Sequence, residues 1–165
     1  MAEHDGIGEY RKAGARRLRD AQELLEPPSL EPHEQGAQTR HLRAAVYLAG
    51  HAVECVLKAY LISRQASALT LLQAVSARRA QGESLPNILS VPNILGEDGH
   101  RLDLLLTLSG LEGLLLTNKG RQQDWGICFK WKSPWRYDPT VPSREYATEY
   151  IDAADRFCEW VLRQI

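Results

Sequence analysis

Residues 39–62 read TRHLRAAVYLAGHAVECVLKAYLI and decide the fold, because they predict one long helix with an extensive apolar face. At about 100° per residue, Arg40 and five further polar side chains fall within an arc of about 80°: Arg43, Tyr47, His51, Glu54 and Lys58. The rest of the helix is largely apolar. Ionised groups on a core helix cost free energy unless they are paired or used. We therefore expect the chemistry of this chain along this line of five residues, called the polar stripe below.

The polar stripe has two interpretations. It can be the solvent side of an amphipathic helix, where a Glu54–Lys58 pair contributes only a few tenths of a kcal/mol. Two neighbours favour a functional groove: Gly50 permits close approach of another group, and His51 changes its charge near neutral pH. If the stripe faces a groove, Glu54→Ala should cost roughly 2–4 kcal/mol, because Lys58 or Arg136 is left unpaired.

Composition indicates a soluble globular chain. Its 165 residues predict a single domain, residues 1–165, with 44% hydrophobic and 25% charged residues. A net charge of −1 gives no bulk sign of a nucleic-acid binder. The three cysteines are far apart and are expected to be reduced and buried, which fits a cytoplasmic location. The polar N-terminus does not resemble a signal peptide, and we expect no membrane-spanning segment.

Familiar metal and cofactor motifs are missing from the sequence. The five histidines have neither HExxH spacing nor the spacing of a Cys/His site. The chain also has no P-loop and no GxSxG elbow, and its one Gly-Ile-Gly stretch follows no predicted strand. We therefore predict no metal and no cofactor.

The periodicity predicts helices over residues 7–26, 37–63, 100–117 and 143–165, with a further helical piece at 68–80. Asp98 and Ser143 are candidate N-caps, and Gly110 and Gly113 mark a bend or an early helix end. Residues 27–36 are predicted as a loop and residues 64–99 as an irregular insert that contains two Pro-Asn-Ile-Leu copies. The predicted fold class is an all-α bundle of four to five helices.

Residues 119–142 are predicted as an aromatic-rich loop, with a short extended pair through 127–132. Aromatic and basic residues alternate in it: Trp125, Phe129, Lys130, Trp131, Lys132, Trp135, Arg136 and Tyr137. Such rings can stack on bases while the cations meet phosphates. Alternatively, the tryptophans cover the core of the bundle and the cations reach past them to solvent. Arg136, just before the last helix, could pair with Glu54 or bind a phosphate.

Three short motifs, in this order along the chain, resemble the HEPN family. The first is Gly50, Glu54, Leu57, Lys58 and Ala59 within YLAGHAVECVLKAYL. The second is GHRLDLL at residues 99–105, which is similar to the family's His-x-Leu segment at the start of a later helix. The third is Arg136-Tyr137 before an aromatic-rich terminal helix. The resemblance covers residues 7–165 and implies an antiparallel four- to five-helix bundle that dimerises.

The resemblance also implies a function. HEPN proteins belong to prokaryotic toxin–antitoxin, antiviral defence and stress systems and often act beside a minimal nucleotidyltransferase. Many are metal-independent ribonucleases with an arginine, four to six residues and then a histidine. That spacing is absent here, since seven residues separate Arg43 from His51 and no histidine follows His100.

The sequence therefore predicts a HEPN-type module that binds RNA, a nucleotide or a partner nucleotidyltransferase, as a cytoplasmic homodimer. Its expected binding residues are those of the polar stripe other than His51, together with two beyond it: Arg43, Tyr47, Glu54, Lys58, His100 and Tyr137. One alternative is a metal-independent ribonuclease toxin, with His51 as general acid or base and Arg136 or Arg43 stabilising the developing charge. A second alternative is a purely structural interaction domain.

Overall fold

The computed structural model describes residues 6–25, 35–64, 100–132, 135 and 142–165. Within these ranges the protein is all-helical and contains no strand. Six α-helices follow one another: α1 (Gly6–Leu25), α2 (Gln35–Arg64), α3 (Leu102–Ser109), α4 (Glu112–Leu116), α5 (Lys119–Cys128) and α6 (Arg144–Leu162). The predicted all-α class is therefore confirmed for the part of the chain that the structure describes.

Helix α2 forms the centre of the fold, with α1, α3 and α6 packed around it and α5 packed on α6. Its apolar face is buried from Leu42 to Ile62, as the 3.6-residue periodicity predicts. Gly14 lets α1 approach α2 closely, because a Cβ at this position would lie 2.9 Å from Val56 Cγ2 and 3.4 Å from the Ala52 carbonyl oxygen. On the other side, Tyr150 and Phe157 of α6 are fully buried against the same core.

The predicted helices over residues 7–26, 37–63 and 143–165 are all present, with ends shifted by one to three residues. Ser143 caps α6 as expected, since its hydroxyl oxygen accepts a hydrogen bond of 3.1 Å from the Tyr146 amide. Residues 35 and 36, predicted as loop, are already helical. Ile165, the last residue of the helix predicted over residues 143–165, lies beyond α6 and is 42% exposed.

The predicted helix over residues 100–117 is present as two helices, α3 and α4, and the expected early helix end at Gly110 is confirmed. Gly110 has φ of +69°, a left-handed conformation that glycine adopts without steric cost. Gly113, the second candidate for a bend, lies inside α4. Arg101 occupies the N-cap of α3 and makes no side-chain cap hydrogen bond; Asp98 lies outside the described residues.

The predicted aromatic-rich loop at 119–142 is wrong over its first half, because residues 119–128 form α5. Asn118 caps this helix, with its side-chain oxygen accepting from the Arg121 amide at 3.1 Å. The expected extended pair through 127–132 is also wrong, since residues 127–128 end α5 and residues 129–130 form a turn. The predicted helix at 68–80, the insert after Arg64 and residues 136–141 lie outside the described residues.

The expectation that no apolar stretch reaches membrane-spanning length needs correction. The segment His41–Arg64 is long and apolar enough to cross a bilayer by length and composition. In this fold, 83% of its most apolar 18-residue window is buried inside the protein. A core helix is buried in the same way.

Candidate functional site

Glu54 is the centre of the candidate site. It lies on the polar stripe of α2 and is only 2% exposed, although the stripe could equally have faced solvent. Its Oε1 accepts a hydrogen bond of 2.6 Å from Lys58 Nζ, one helical turn further on. Lys58 is itself buried. The interpretation of these two residues as an exposed surface pair is therefore wrong, because both are buried.

The second oxygen of Glu54 faces two histidines. His100 Nδ1 lies 2.9 Å from Oε2, and His51 Nδ1 lies 3.6 Å from the same atom. A carboxylate only accepts hydrogen bonds, so His100 Nδ1 is the donor in this pair. The hydrogen bond between His100 and Glu54 thus joins residues 46 positions apart in the chain. We call Glu54, Lys58, His51 and His100 the Glu54 cluster.

The two imidazoles bring the Glu54 cluster to the surface. The His51 side chain is 20% exposed and the His100 side chain is 44% exposed, whereas Glu54 and Lys58 lie beneath them. The two rings meet edge to face, with centroids 6.2 Å apart and an interplanar angle of 87°. A ligand in solvent therefore meets the imidazoles first, with the carboxylate and the ammonium behind them.

Helix α1 contributes to the surroundings of His51. Burial lowers the pKa of His51, Glu54 opposes that shift, and the positive charge of Arg17 from α1 adds to it. Cys55 Sγ also lies near this ring, 3.9 Å from His51 Nδ1. The thiol itself is kept protonated, because burial and then Glu54 raise the pKa of Cys55. His51 is thus held in its uncharged form at neutral pH.

The lowered pKa of His51 predicts a pH dependence of stability. Because the folded-state pKa lies below the ordinary value of 6.5, the unfolded chain binds the proton more readily. The contribution of uncharged His51 to the free energy of unfolding is therefore fully present above pH 6.5. It is lost as the pH falls from 6.5 through the folded-state pKa. One such group changes the free energy of unfolding by at most about 1.4 kcal/mol per pH unit.

Urea unfolding between pH 7.5 and 5 checks this dependence. We expect His51→Gln to lose less stability than the wild type over that range, while His41→Gln, on the same helix outside the Glu54 cluster, follows the wild type. Parallel pH profiles for the wild type and His51→Gln would show that His51 is not held uncharged.

Aromatic rings close one side of the Glu54 cluster. The Tyr47 ring packs edge to face on His51, with centroids 5.9 Å apart. Trp131 packs beside both, with its ring centroid 5.9 Å from Tyr47 and 6.1 Å from His51. Trp131 is buried, as the core-covering interpretation of the tryptophans expects, whereas Lys130 and Lys132 on either side of it are exposed. Sequence reasoning did not connect Trp131 with the polar stripe.

The remaining predicted site residues divide into two groups. Arg43 lies on α2 two turns before His51, on the same face, and is half-buried. Arg136 and Tyr137 lie outside the described residues, so the expected pairing of Arg136 with Glu54 stays a prediction. Among the described residues, Lys58 and His100 hold the hydrogen bonds of Glu54 instead.

A second buried carboxylate was missed by sequence reasoning. Asp124 of α5 accepts a 2.6 Å hydrogen bond from Arg121 Nη1, and its other oxygen accepts from Arg156 Nε at 3.0 Å and Nη2 at 2.7 Å. This network ties α5 to α6. No spacing in the sequence marks the contact with Arg156, which joins residues 32 positions apart.

The described part of the chain contains no group of three or more His, Cys, Asp or Glu side chains arranged to hold a metal ion. The chain matches no protein-family model, and no curated protein and no solved structure is detectably similar to it.

Proposed function

We propose that this chain is a HEPN-type helical module that binds the phosphate groups of RNA or of a nucleotide at the Glu54 cluster. The observation that supports this most is the gathering of Lys58, His51 and His100 around one buried carboxylate at the rim of a core helix. Burying an ion pair costs free energy that a hydrophobic pair would not. A ligand-binding role explains why this helix keeps such groups.

The chemistry of the surroundings suits an anion. Imidazole nitrogens at the rim can donate to phosphate oxygens, and Lys58 balances the charge of Glu54 beneath them. Arg17 and Arg43 add positive charge on the α1 and α2 sides. The Tyr47 ring beside His51 offers an aromatic surface of the kind on which bases stack. These features favour a phosphate ester with an attached base over a simple carboxylic acid.

The wider setting follows from the motifs. An antiparallel bundle, a homodimer, a cytoplasmic location and a role in a prokaryotic toxin–antitoxin or antiviral defence system belong to this proposal. A minimal nucleotidyltransferase is the expected protein partner. If the partner alone binds, and neither RNA nor nucleotide does, the Glu54 cluster is an interaction surface instead.

Fluorescence anisotropy with a short labelled single-stranded RNA tests the binding proposal. We expect His51→Gln and His100→Gln each to weaken binding by roughly ten- to hundredfold, equivalent to about 1.4–2.8 kcal/mol. The matched control is His41→Gln, which should bind as the wild type does. Affinity should fall as salt rises, because phosphate contacts release counterions. Wild-type protein without affinity for RNA, for adenosine monophosphate or for a cognate nucleotidyltransferase would contradict the proposal.

Catalysis by the same cluster is a second candidate, and the two imidazoles favour it. The pKa of His51 is lowered, so its ring is uncharged near neutral pH, and the His100 ring shares the Glu54 carboxylate beside it. One ring can then take the proton of a ribose 2′-hydroxyl as that oxygen attacks the phosphorus. The other can protonate the departing 5′-oxygen, which leaves a cyclic phosphate and a free 5′-hydroxyl without a metal.

Incubation of the wild type and His51→Ala with total RNA in EDTA, read on a denaturing gel, tests catalysis. Cleavage by the wild type alone is the result expected of a metal-independent ribonuclease. Intact RNA in both lanes would argue for a binding module without activity of its own.

A further inference from the structure

Gly50 and Trp131 fit each other more closely than any other glycine and side chain in the described structure. A Cβ built on Gly50 would lie 2.0 Å from Trp131 Cδ1 and 2.3 Å from Cγ. No real Cβ can lie so close to another atom. The indole therefore fits here only because residue 50 is a glycine and has no side chain. Trp131 is 3% exposed there. Glycine inside a helix is less stable than alanine, and the packing of Trp131 explains why this helix has a glycine at position 50.

The indole lies over the face of α2 that carries the Glu54 cluster. Positions 47, 51 and 54 surround position 50 on the helix surface, so a ring seated on Gly50 lies between them. The ring contacts with Tyr47 and His51 agree with this placement. His51 therefore has rings on three sides, from Tyr47, Trp131 and His100. Its imidazole has little freedom to turn away from Glu54.

Trp131 does not occupy this position for the sake of a hydrogen bond. Its Nε1 is buried and has no acceptor among the described residues. A buried donor without a partner destabilises the folded state. Its neighbours Phe129, Lys130 and Lys132 are exposed, so Trp131 alone seats this segment on α2. Packing of its apolar ring against Tyr47 and His51 accounts for its position.

We propose that Trp131 is the positioning residue of the Glu54 cluster: its indole, seated over Gly50, holds the His51 imidazole against Glu54 and shields it from water. It touches no reacting atom itself and acts through His51. The consequence for ligand binding depends on the function proposed above, whereas the effect on His51 does not.

The charges that face His51 make this effect measurable. Glu54 and Cys55 face it from α2, Arg17 from α1 and His100 from the chain before α3. Burial is the largest cause of the lowered pKa of His51. Removing the indole takes away part of that burial and leaves Glu54 in place, and both changes favour the protonated ring. The pKa of His51 should then rise toward its ordinary value.

Proton NMR titration of the His51 imidazole in the wild type, Trp131→Phe and Trp131→Ala tests the inference. We expect Trp131→Ala to raise the pKa of His51, while Trp131→Phe, which keeps a ring and loses an unused N–H, stays near the wild type. The control is Trp160→Ala, at a partly buried ring that packs on Phe157 away from the cluster. It should lower the melting temperature and leave the titration of His51 unchanged.

A measurement on the wild type guards against a Trp131→Ala variant that fails to fold. The four tryptophans give four indole N–H signals, and Trp131→Phe identifies one of them. That signal should move with the midpoint of the His51 titration, whereas the signals of the other three tryptophans should not. An unchanged pKa of His51 in folded Trp131→Ala, or a Trp131 signal that ignores the titration, would overturn the positioning role.

Binding separates this inference from the proposed function. If the wild type binds RNA, Trp131→Ala should weaken binding about as much as His51→Gln does, and Trp131→Phe should bind within about twofold of the wild type, a difference of about 0.4 kcal/mol. If Trp131→Ala binds RNA as the wild type does, the positioning role fails and the binding site stands. If the wild type binds nothing, the proposed function fails, and the His51 titration still decides the role of Trp131.

Discussion

Glu54→Ala is expected to destabilise the protein by about 3–5 kcal/mol, more than the roughly 2–4 kcal/mol expected from the sequence, because both partners are buried and the Lys58 ammonium is left without its carboxylate. The Lys58 side chain is only 9% exposed and its Nζ lies 2.6 Å from Oε1, so water cannot replace the lost partner without a rearrangement. His100 loses its acceptor in the same variant. Urea unfolding measures the change in the free energy of unfolding.

The chain supplies a matched control for this prediction. Glu159 and Arg163 form the same i, i+4 type of pair at 3.1 Å, with side chains 60% and 76% exposed. Glu159→Ala should cost a few tenths of a kcal/mol at most. The double variant Glu54→Leu/Lys58→Met should recover most of the stability lost in Glu54→Ala, since it removes both charges. Equal and small losses for Glu54→Ala and Glu159→Ala would show that Glu54 faces solvent.

Gly50→Ala is expected to cost about 2–4 kcal/mol, although alanine is the better helix former. The new Cβ would displace the Trp131 indole, and losing the packing of a buried tryptophan costs about 3–5 kcal/mol. The higher helix propensity of alanine offsets about 1 kcal/mol of this loss. Thermal and urea unfolding measure the net loss, and the fluorescence of Trp131 should move to longer wavelength as its ring enters water.

Gly126→Ala is the control, because a Cβ at this exposed position of α5 meets nothing within 4 Å. It should stabilise the protein by about 0.5–1 kcal/mol. In the background of Trp131→Ala, Gly50→Ala should be neutral or stabilising, since the clash is gone. A Gly50→Ala variant as stable as Gly126→Ala would mean that the indole does not occupy this position.

The sequence predicts the central helix well because its signal is local. The apolar face of residues 39–62 repeats with the period of a helix, and Ser143 is a strong cap directly after a proline. Helix α5 was missed because its sequence, KGRQQDWGIC, contains two glycines and no apolar stripe. Asn118 was the available signal, since asparagine is a favoured N-cap.

The sequence predicts the part of the site that lies on one helix, but not the part that depends on tertiary contacts. Helical spacing places Tyr47, His51, Glu54 and Lys58 on one face, but it does not say whether that face is buried. The hydrogen bond from His100 joins positions 46 apart, and only the motif resemblance suggested that it belongs with the polar stripe. Trp131 reaches Gly50 through tertiary packing, for which a single sequence carries no signal. The glycine itself, mid-helix and unexplained, was the one local hint.

Histidine NMR of the wild type during addition of single-stranded RNA tests the central claim most directly, because it reports where the ligand lies. The account predicts that the imidazole signals of His51 and His100 shift together and saturate, while the signal of His41 stays in place. RNA that binds and moves other signals, but leaves His51 and His100 unchanged, would contradict the assignment of the Glu54 cluster as the binding site.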